Sequence, residues 1–121
     1  MDRLLQYLEY FQDLGSVFYH EVNGYMRESQ EIGSFRKALD DTGFLMVFNW
    51  SDWLMENEIY RNLDHEVDSS IMNADLTILR KLMTSYIRGD RFNEGLFIQV
   101  CVKGHAASIL LRLRELKGTL S

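Results

Sequence analysis

Two arginines and two carboxylates lie close together between Arg88 and Gly95, and they are the residues best suited to chemistry in this chain. Arg88 and Arg91 are three positions apart, as are Arg91 and Glu94, and Asp90 precedes Glu94 by four. On helical backbone, residues at these spacings share a face. One interpretation makes Asp90 and Glu94 the catalytic candidates, as an acid and base or as metal ligands. The two arginines would then clamp an anion.

A structural interpretation of the same stretch competes with the catalytic one. The four charges would form an ion-pair network at the junction of two helices, with Asp90 as the cap of the second helix. Breaking a buried pair of this kind costs roughly 3–5 kcal/mol, so the charges have a reason to be present without any catalysis. The sequence favours this structural role over the catalytic one.

A second candidate site contains the two tryptophans, Trp50 and Trp53. If a helix begins at Asn49 or Trp50, the two indoles lie close together on one face of that helix. Exposed indoles would provide a binding platform on which a base or a sugar stacks. Two tryptophans beside an apolar run are more typical of a hydrophobic core, so we expect packing as the commoner outcome.

The other residues with metal-binding or nucleophilic chemistry form no recognisable motif. The histidines are His20, His65 and His105, and none belongs to the H-E-x-x-H arrangement of zinc enzymes. Cys101 is the single cysteine, which excludes an internal disulfide and a multi-cysteine zinc site. Phosphate-binding loops, dinucleotide-binding glycine patterns and nucleophile elbows are missing. We therefore expect no metal and no cofactor.

A mainly α-helical domain must position these candidate residues. The chain has 121 residues, 46% of them hydrophobic, and no proline, which suits one domain over residues 1–121 with a single core. We predict a bundle of about five to six helices, with a small β-hairpin formed by residues 17–22 and 44–48. Asn23-Gly24 is a turn signal next to the first of these segments.

Apolar spacing and capping residues predict the N-terminal helices. The first helix is predicted from Asp2 to about Leu14, and the second follows Ser29 and ends at Gly43. Asn49 or Ser51 is expected to cap the helix that carries the tryptophans.

The C-terminal helices are predicted in the same way. The polar stretch from Asp64 to Asn73 is predicted to be a loop, and Asn73 or Asp75 to cap a broad, central apolar helix. Asp90 is expected to start the next helix, with Phe92 on its core face. A break at Lys103-Gly104 precedes the last helix.

Charge is divided unevenly along the chain. Residues 1–75 hold 5 Lys/Arg against 15 Asp/Glu, whereas residues 76–121 hold 8 against 3. We expect the two halves to attract one another within one fold. A basic face on the last helix, from Arg112, Arg114 and Lys117, offers a competing role in weak, salt-sensitive nucleic-acid binding, which the acidic half would oppose.

Neither a signal peptide nor a membrane span is expected. The N-terminus alternates apolar and polar residues, and the longest apolar run, Phe44 to Phe48, is far too short to cross a bilayer. The single cysteine suits a reducing compartment. The sequence therefore predicts a soluble, cytoplasmic protein.

The residues of both candidate sites resemble those of an uncharacterised bacterial domain family. That family has Phe-Asp-Trp with a second Trp close behind, and Arg-x-Asp-Arg-Phe-x-Glu-Gly before a final apolar helix. This chain has Phe48-Asn49-Trp50 with Trp53, and the second motif from Arg88 to Gly95, so the resemblance covers about residues 44–117. Asn49 replaces the family's Asp, and an amide can cap a helix but cannot act as a general base. The resemblance supplies candidate positions without an activity.

Three functions follow as expectations. The first is a small binding or protein-interaction domain, with homodimerisation as one form of that interaction and an unidentified protein or small molecule as the partner. The second is a small hydrolase-like enzyme that uses Asp90 and Glu94, with Arg88 or Arg91 as anion clamp. The third is weak nucleic-acid binding by the last helix. Whether the protein is an enzyme stays open at this stage.

Overall fold

The computed structural model describes residues 2–13, 15–57 and 67–120, and it has the mainly α-helical architecture that the sequence predicts, with one small two-stranded hairpin. The elements, in chain order, are α1 (Asp2–Leu5), α2 (Leu8–Gln12), β1 (Tyr19–Val22), β2 (Tyr25–Glu28), α3 (Gln30–Asp41), α4 (Trp50–Glu56), α5 (Val67–Met72), α6 (Leu76–Gly89), α7 (Leu96–Val102) and α8 (His105–Leu120).

Three helices begin at the capping residues that the sequence indicates. The side chains of Ser29, Asn49 and Asp75 each accept the backbone N–H three positions further on, at 3.2, 3.1 and 2.8 Å. Each cap satisfies one of the N–H groups that a first helical turn leaves without an intrahelical acceptor. The starts of α3, α4 and α6 are therefore determined by local sequence.

The core lies around α6 and α8. Helix α6 packs against α4, α7 and α8, and α8 packs also against α1, α2 and α5. Leu79, Leu82 and Met83 of α6 are fully buried, as are Ile109 and Leu113 of α8. The broad, central apolar helix that the sequence predicts after Asn73 or Asp75 is confirmed as α6.

The hairpin is confirmed, but its predicted second strand is wrong. β1 pairs with β2 in antiparallel register, Tyr19 opposite Glu28 and Val22 opposite Tyr25, across the Asn23-Gly24 turn. Residues 44–48 form no strand. A two-residue turn joins neighbouring segments at little entropic cost, whereas pairing with residues 44–48 would close a far longer loop.

The backbone of residues 44–48 is held instead by side chains of α6. Arg80 donates to the carbonyls of Gly43 and Phe44 at 3.1 and 2.9 Å, and the Met46 N–H donates to Thr84 Oγ1 at 2.9 Å. These bonds replace the ladder that a second strand would have supplied. The segment therefore runs over α6 as an extended connection into α4.

Three further boundaries differ from the predictions. The first helix is divided into α1 and α2, and α5 lies within the stretch predicted to be a loop. Residues 58–66, which include His65 and the first part of that stretch, lie outside the described residues. Helix α7 begins at Leu96 instead of Asp90, and Phe92, predicted to face the core, is 83% exposed.

Within the described residues, no single helix is long and apolar enough to cross a membrane. Taken together, the consecutive helices α7 and α8 are long and apolar enough, but they are bent by 67° relative to each other.

Candidate functional site

The charged stretch from Arg88 to Glu94 forms the junction between α6 and α7. Helix α6 ends at Gly89, and Gly95, at φ 88°, precedes α7. A Cβ at Gly89 would lie 3.1 Å from Leu96 Cδ2 and 3.6 Å from the Trp50 ring. Close packing at Gly89 thus brings α4, α6 and the start of α7 together at one point.

The Asp90 carboxylate joins this junction to two other parts of the fold. Its Oδ1 accepts the Phe97 backbone N–H at 3.0 Å, and its Oδ2 accepts from Arg36 Nη2 of α3 at 3.3 Å. Phe97 is in the first turn of α7, whose preceding residue, Gly95, has no side chain to serve as a cap. The prediction that Asp90 caps the next helix is right about the bond, although that helix begins six residues later than expected.

Arg36 is the partner that the sequence patterns did not predict. Its Nε and Nη2 atoms donate to the two carboxylate oxygens of Glu28 at 2.7 and 2.5 Å, which is a bidentate pair. Its guanidinium also lies 5.0 Å from the centroid of the Phe97 ring. The hairpin, α3 and the α6–α7 junction therefore meet at this one cation.

The electrostatics of Arg36 favour its charged form. Burial lowers the pKa of the guanidinium, but hydrogen bonds and opposite charge from Glu28 and Asp90 more than offset this, so the pKa is raised.

A signal for the buried position of Arg36 is present in the sequence. Arg36 lies four residues after buried Ile32 and three before buried Leu39, so it is on the apolar face of α3 and must find partners there.

Arg88 and Arg91 behave differently from Arg36. Both line a pocket of about 190 Å³, together with Asp40, Asp90 and Arg36. Within the described residues, neither Arg88 nor Arg91 makes an ion pair or a side-chain hydrogen bond. Because Arg36 is engaged by Glu28 and Asp90, the pocket presents two arginines against the single carboxylate of Asp40.

Glu94 is exposed and does not line this pocket. The pocket therefore contains Asp90 without Glu94, and the two catalytic candidates do not converge on it. The predicted network among the four charges is wrong in its partners. Asp90 is bound by Arg36, which is 54 residues away in the sequence, and not by its neighbours Arg88 and Arg91.

The two tryptophans contact different surroundings. The Trp50 ring lies 6.0 Å from the ring of exposed Phe92 at an interplanar angle of 33°, whereas the Trp53 ring meets Phe48 edge-on at 6.2 Å. Lys81 lies 5.7 Å from the centroid of the Phe48 ring. Neither indole is fully buried. Trp50 thus belongs to the junction with Arg88 and Arg91, and Trp53 to the packing between α4 and the core.

Comparison with known families identifies the chain at the level of its family. The family of unknown function DUF6508 matches residues 1–119. This chain belongs to DUF6508. The match extends over the N-terminal third, which the resemblance in the sequence motifs did not cover.

No curated protein and no solved structure matches this DUF6508 chain. Candidate residues in the DUF6508 domain therefore rest on the geometry of this chain alone. In the part of the chain that the structure describes, no group of three or more His, Cys, Asp or Glu side chains is arranged to hold a metal ion.

The basic face of α8 is partly engaged within the DUF6508 fold. Arg112 donates to the Ala74 carbonyl at 2.8 Å and contacts Glu115 at 3.4 Å, and Lys117 pairs with Asp2. Arg114 is exposed. Two of the three cations on this face therefore stabilise the packing of α8.

Proposed function

We propose that this DUF6508 chain is a protein-interaction domain that binds an acidic, apolar segment of another protein. The binding surface is formed by Trp50, Phe92, Arg88 and Arg91, which we call the aromatic–arginine face. The observation that carries the proposal is Phe92, an 83% exposed phenyl ring in contact with an indole. It lies in the same junction segment as Arg88 and Arg91, which make no ion pair among the described residues.

The apolar part of this face favours a protein partner. A phenylalanine side chain buries roughly 150–250 Å² when it is covered, and leaving it in water forgoes about 1.5–3 kcal/mol. Phe92 already rests on Trp50, so it is partly held in place before a partner binds. Aromatic residues and arginine are the residue types enriched at the centres of protein interfaces.

The charges on the face favour an acidic partner. Arg88 and Arg91 each present a planar guanidinium, which binds a carboxylate through two parallel hydrogen bonds. Among the described residues that line their pocket, Asp40 is the one carboxylate not engaged by Arg36. The net positive charge left at the pocket is suited to Asp or Glu side chains that flank an apolar residue of the partner.

The alternatives draw less support from the geometry. A hydrolase-like reaction would need Asp90 and Glu94 at one open site, but Asp90 is bonded to Arg36 and the Phe97 N–H, and Glu94 lies outside the pocket. Nucleic-acid binding by α8 would rely on cations that are partly engaged in packing. A cytoplasmic location belongs to the proposal because the lone Cys101 suits a reducing compartment.

A peptide selection tests the proposal. A display library of random 12-residue peptides is selected on the wild-type domain, and the Kd values of the selected peptides are measured with the Arg88→Ala/Arg91→Ala and Phe92→Ser variants. We expect the selected peptides to be enriched in Asp or Glu beside Leu, Ile or Phe. Each variant should raise the Kd about tenfold or more, since about 1.4 kcal/mol corresponds to a factor of ten.

Arg114→Ala is the matched control, because it removes an exposed arginine from a different surface. It should leave the Kd unchanged. Peptides without acidic residues, or peptides whose Kd is unaffected by the Phe92 and arginine variants, would overturn the proposal. So would binding of inorganic phosphate in place of any peptide. Dimers that dissociate on Phe92→Ser would identify a second copy, not another protein, as the partner.

The tryptophans supply a second readout. Trp53→Phe leaves Trp50 as the single indole of the chain, so its emission reports on the aromatic–arginine face directly. A selected peptide should change this emission with the same Kd as in the binding assay. In the matched Trp50→Phe variant, Trp53 packs on Phe48 and should respond weakly.

A further inference from the structure

The outer edge of β1 carries backbone groups that the hairpin itself does not use. The tight turn makes Val22 and Tyr25 a hydrogen-bonded pair, and such pairs alternate with non-bonded pairs along an antiparallel ladder. Tyr19 and Glu21 therefore direct their N–H and C=O groups away from β2. Within the described residues, no other element donates to these groups or accepts from them.

A strand edge of this kind is a template for a further strand. All four residues of β1 are exposed, and a two-stranded hairpin is only marginally stable without further packing. Exposed apolar side chains are concentrated on the same hairpin and its approach, with Val17, Tyr19, Val22, Tyr25 and Met26 among them. A third strand would cover part of this apolar surface.

An apolar groove of about 830 Å³ follows the start of β1. Four successive residues, Ser16 to Tyr19, line it, so the groove runs along the backbone of this segment. Its lining continues over Phe11 of α2 and over Val102 and Ala107 of α7 and α8. Val17 and Val102 are 54% and 52% exposed, so apolar side chains of a ligand would find uncovered apolar surface there.

Among the described residues, the charges that line the groove or lie at the outward-bonding positions of β1 are carboxylates, whereas Arg27 lies on β2 opposite His20. Asp13 lines the groove, and its Oδ1 accepts the Gly15 N–H at 2.8 Å. Neither Asp13 nor Glu21 makes an ion pair among the described residues. Lys103 does not line the groove, although it lies between two residues that do. The excess of carboxylates in residues 1–75 adds a longer-range attraction for cations.

We infer that the free edge of β1 and the adjoining groove bind an extended, apolar and positively charged segment of another protein by β-strand addition. The backbone of that segment bonds to the N–H and C=O groups of Tyr19 and Glu21. Its alternate apolar side chains enter the groove, and the excess of carboxylates in residues 1–75, Asp13 and Glu21 among them, attracts its Lys or Arg side chains.

The occupant is not a second copy of this chain. A second copy would bring the same acidic residues to the edge, and the basic residues from position 76 onward lie mostly on helices, which cannot add as a strand. This site shares no residue with the aromatic–arginine face, and its charge preference is the opposite one.

Fluorescence anisotropy with a labelled octapeptide of alternating valine and lysine tests the inference, and an octapeptide of alternating valine and glutamate measures the charge preference. We expect the lysine peptide to bind with a Kd about tenfold lower than the glutamate peptide. Glu21→Pro should raise the Kd for the lysine peptide about tenfold beyond the effect of Glu21→Ala, because only proline removes the outward N–H group.

Met26→Pro is the matched control for the proline substitution. Met26 lies opposite Glu21, and its N–H points out of the other edge of the hairpin, so proline there blocks β2 and leaves the edge of β1 free. It should leave the Kd unchanged. Equal increases in the Kd for the lysine peptide in Met26→Pro and Glu21→Pro would contradict the inference. Equal increases in Glu21→Pro and Glu21→Ala would contradict it as well.

A second variant tests the groove without altering the strand. Val102→Asn puts a neutral polar amide on the uncovered lining and should also raise the Kd about tenfold, whereas Val47→Asn, at an exposed valine outside the groove, should not. Unchanged binding to Val102→Asn would exclude the groove. Tight binding of the glutamate peptide would exclude the charge preference.

Two further outcomes would assign the lysine peptide or the strand edge differently. If the Arg88→Ala/Arg91→Ala variant no longer binds the lysine peptide, the peptide binds at the aromatic–arginine face. That result would overturn the inference without affecting the proposed function. Wild-type dimers that become monomers in Glu21→Pro, seen by sedimentation, would overturn it by showing that a second copy occupies the edge.

Discussion

Replacing Asp90 with alanine should destabilise the fold more than any other single change in the charged stretch. Two interactions are lost. The bond from the Phe97 N–H at 3.0 Å satisfies the first turn of α7 and contributes about 1–2 kcal/mol, as capping bonds do. The ion pair with Arg36 at 3.3 Å joins side chains that are 23% and 27% exposed, so it contributes about 0.5–1 kcal/mol. The sum is a loss of about 1.5–3 kcal/mol.

Asp90→Asn separates the two contributions. The amide oxygen can still accept the Phe97 N–H, whereas the negative charge beside Arg36 is gone. We expect a loss of about 1 kcal/mol for this variant. Glu94→Ala is the control, because Glu94 is exposed, and it should change the free energy of unfolding by no more than about 0.5 kcal/mol.

Urea unfolding followed by circular dichroism at 222 nm measures these free energies, since m is about 1–3 kcal/mol/M for small domains. A free energy of unfolding for Asp90→Ala within about 0.5 kcal/mol of wild type would refute both contributions. Equal effects of Asp90→Asn and Asp90→Ala would show that the Phe97 bond contributes nothing. A double-mutant cycle with Arg36→Met should give a coupling of about 0.5–1 kcal/mol, and zero coupling would remove the ion pair from the account.

The remaining predictions concern backbone conformation and the buried thiol. Gly33→Ala, in α3 with open space around its Cβ position, should stabilise by about 0.5–1 kcal/mol. Gly95→Ala, at φ 88°, should destabilise by about 1–2 kcal/mol, and thermal unfolding that shifts both variants in one direction would contradict this. Burial raises the pKa of the Cys101 thiol, so at pH 8 a disulfide reagent should react with it only after unfolding. Rapid stoichiometric labelling of the native protein would refute that prediction.

Local features of the chain could be predicted because their causes lie within a few residues. A capping side chain acts on an N–H three positions away, so Ser29 indicated the start of α3, and Asn49 and Asp75 are each one of the two caps expected for α4 and α6. The Asn23-Gly24 turn likewise requires positive φ at both residues, at 53° and 82°, and it determines the hairpin. The partner strand was assigned wrongly because an apolar run does not specify whether it packs as a strand or as a connection.

Helix α7 begins at Leu96, six residues after the start that the local sequence pattern predicts. With a helix starting at Asp90, Phe92 would share the core face with Leu96 and Val100. The structure starts the helix at Leu96, after Gly95 in left-handed conformation, so Phe92 lies in the junction and faces solvent. The residue expected in the core became the main exposed residue of the aromatic–arginine face.

The sequence by itself determined that the chain is mainly helical, where several helices begin and that Asp90 bonds to the first turn of a following helix. Only the tertiary structure decided which charges are engaged. Arg36, Glu28 and Asp90 are brought together from three separate segments, and this leaves Arg88 and Arg91 without an ion pair among the described residues. The physical reason is that caps and turns depend on neighbours in the chain, whereas ion pairing and exposure depend on which segments are packed together in space.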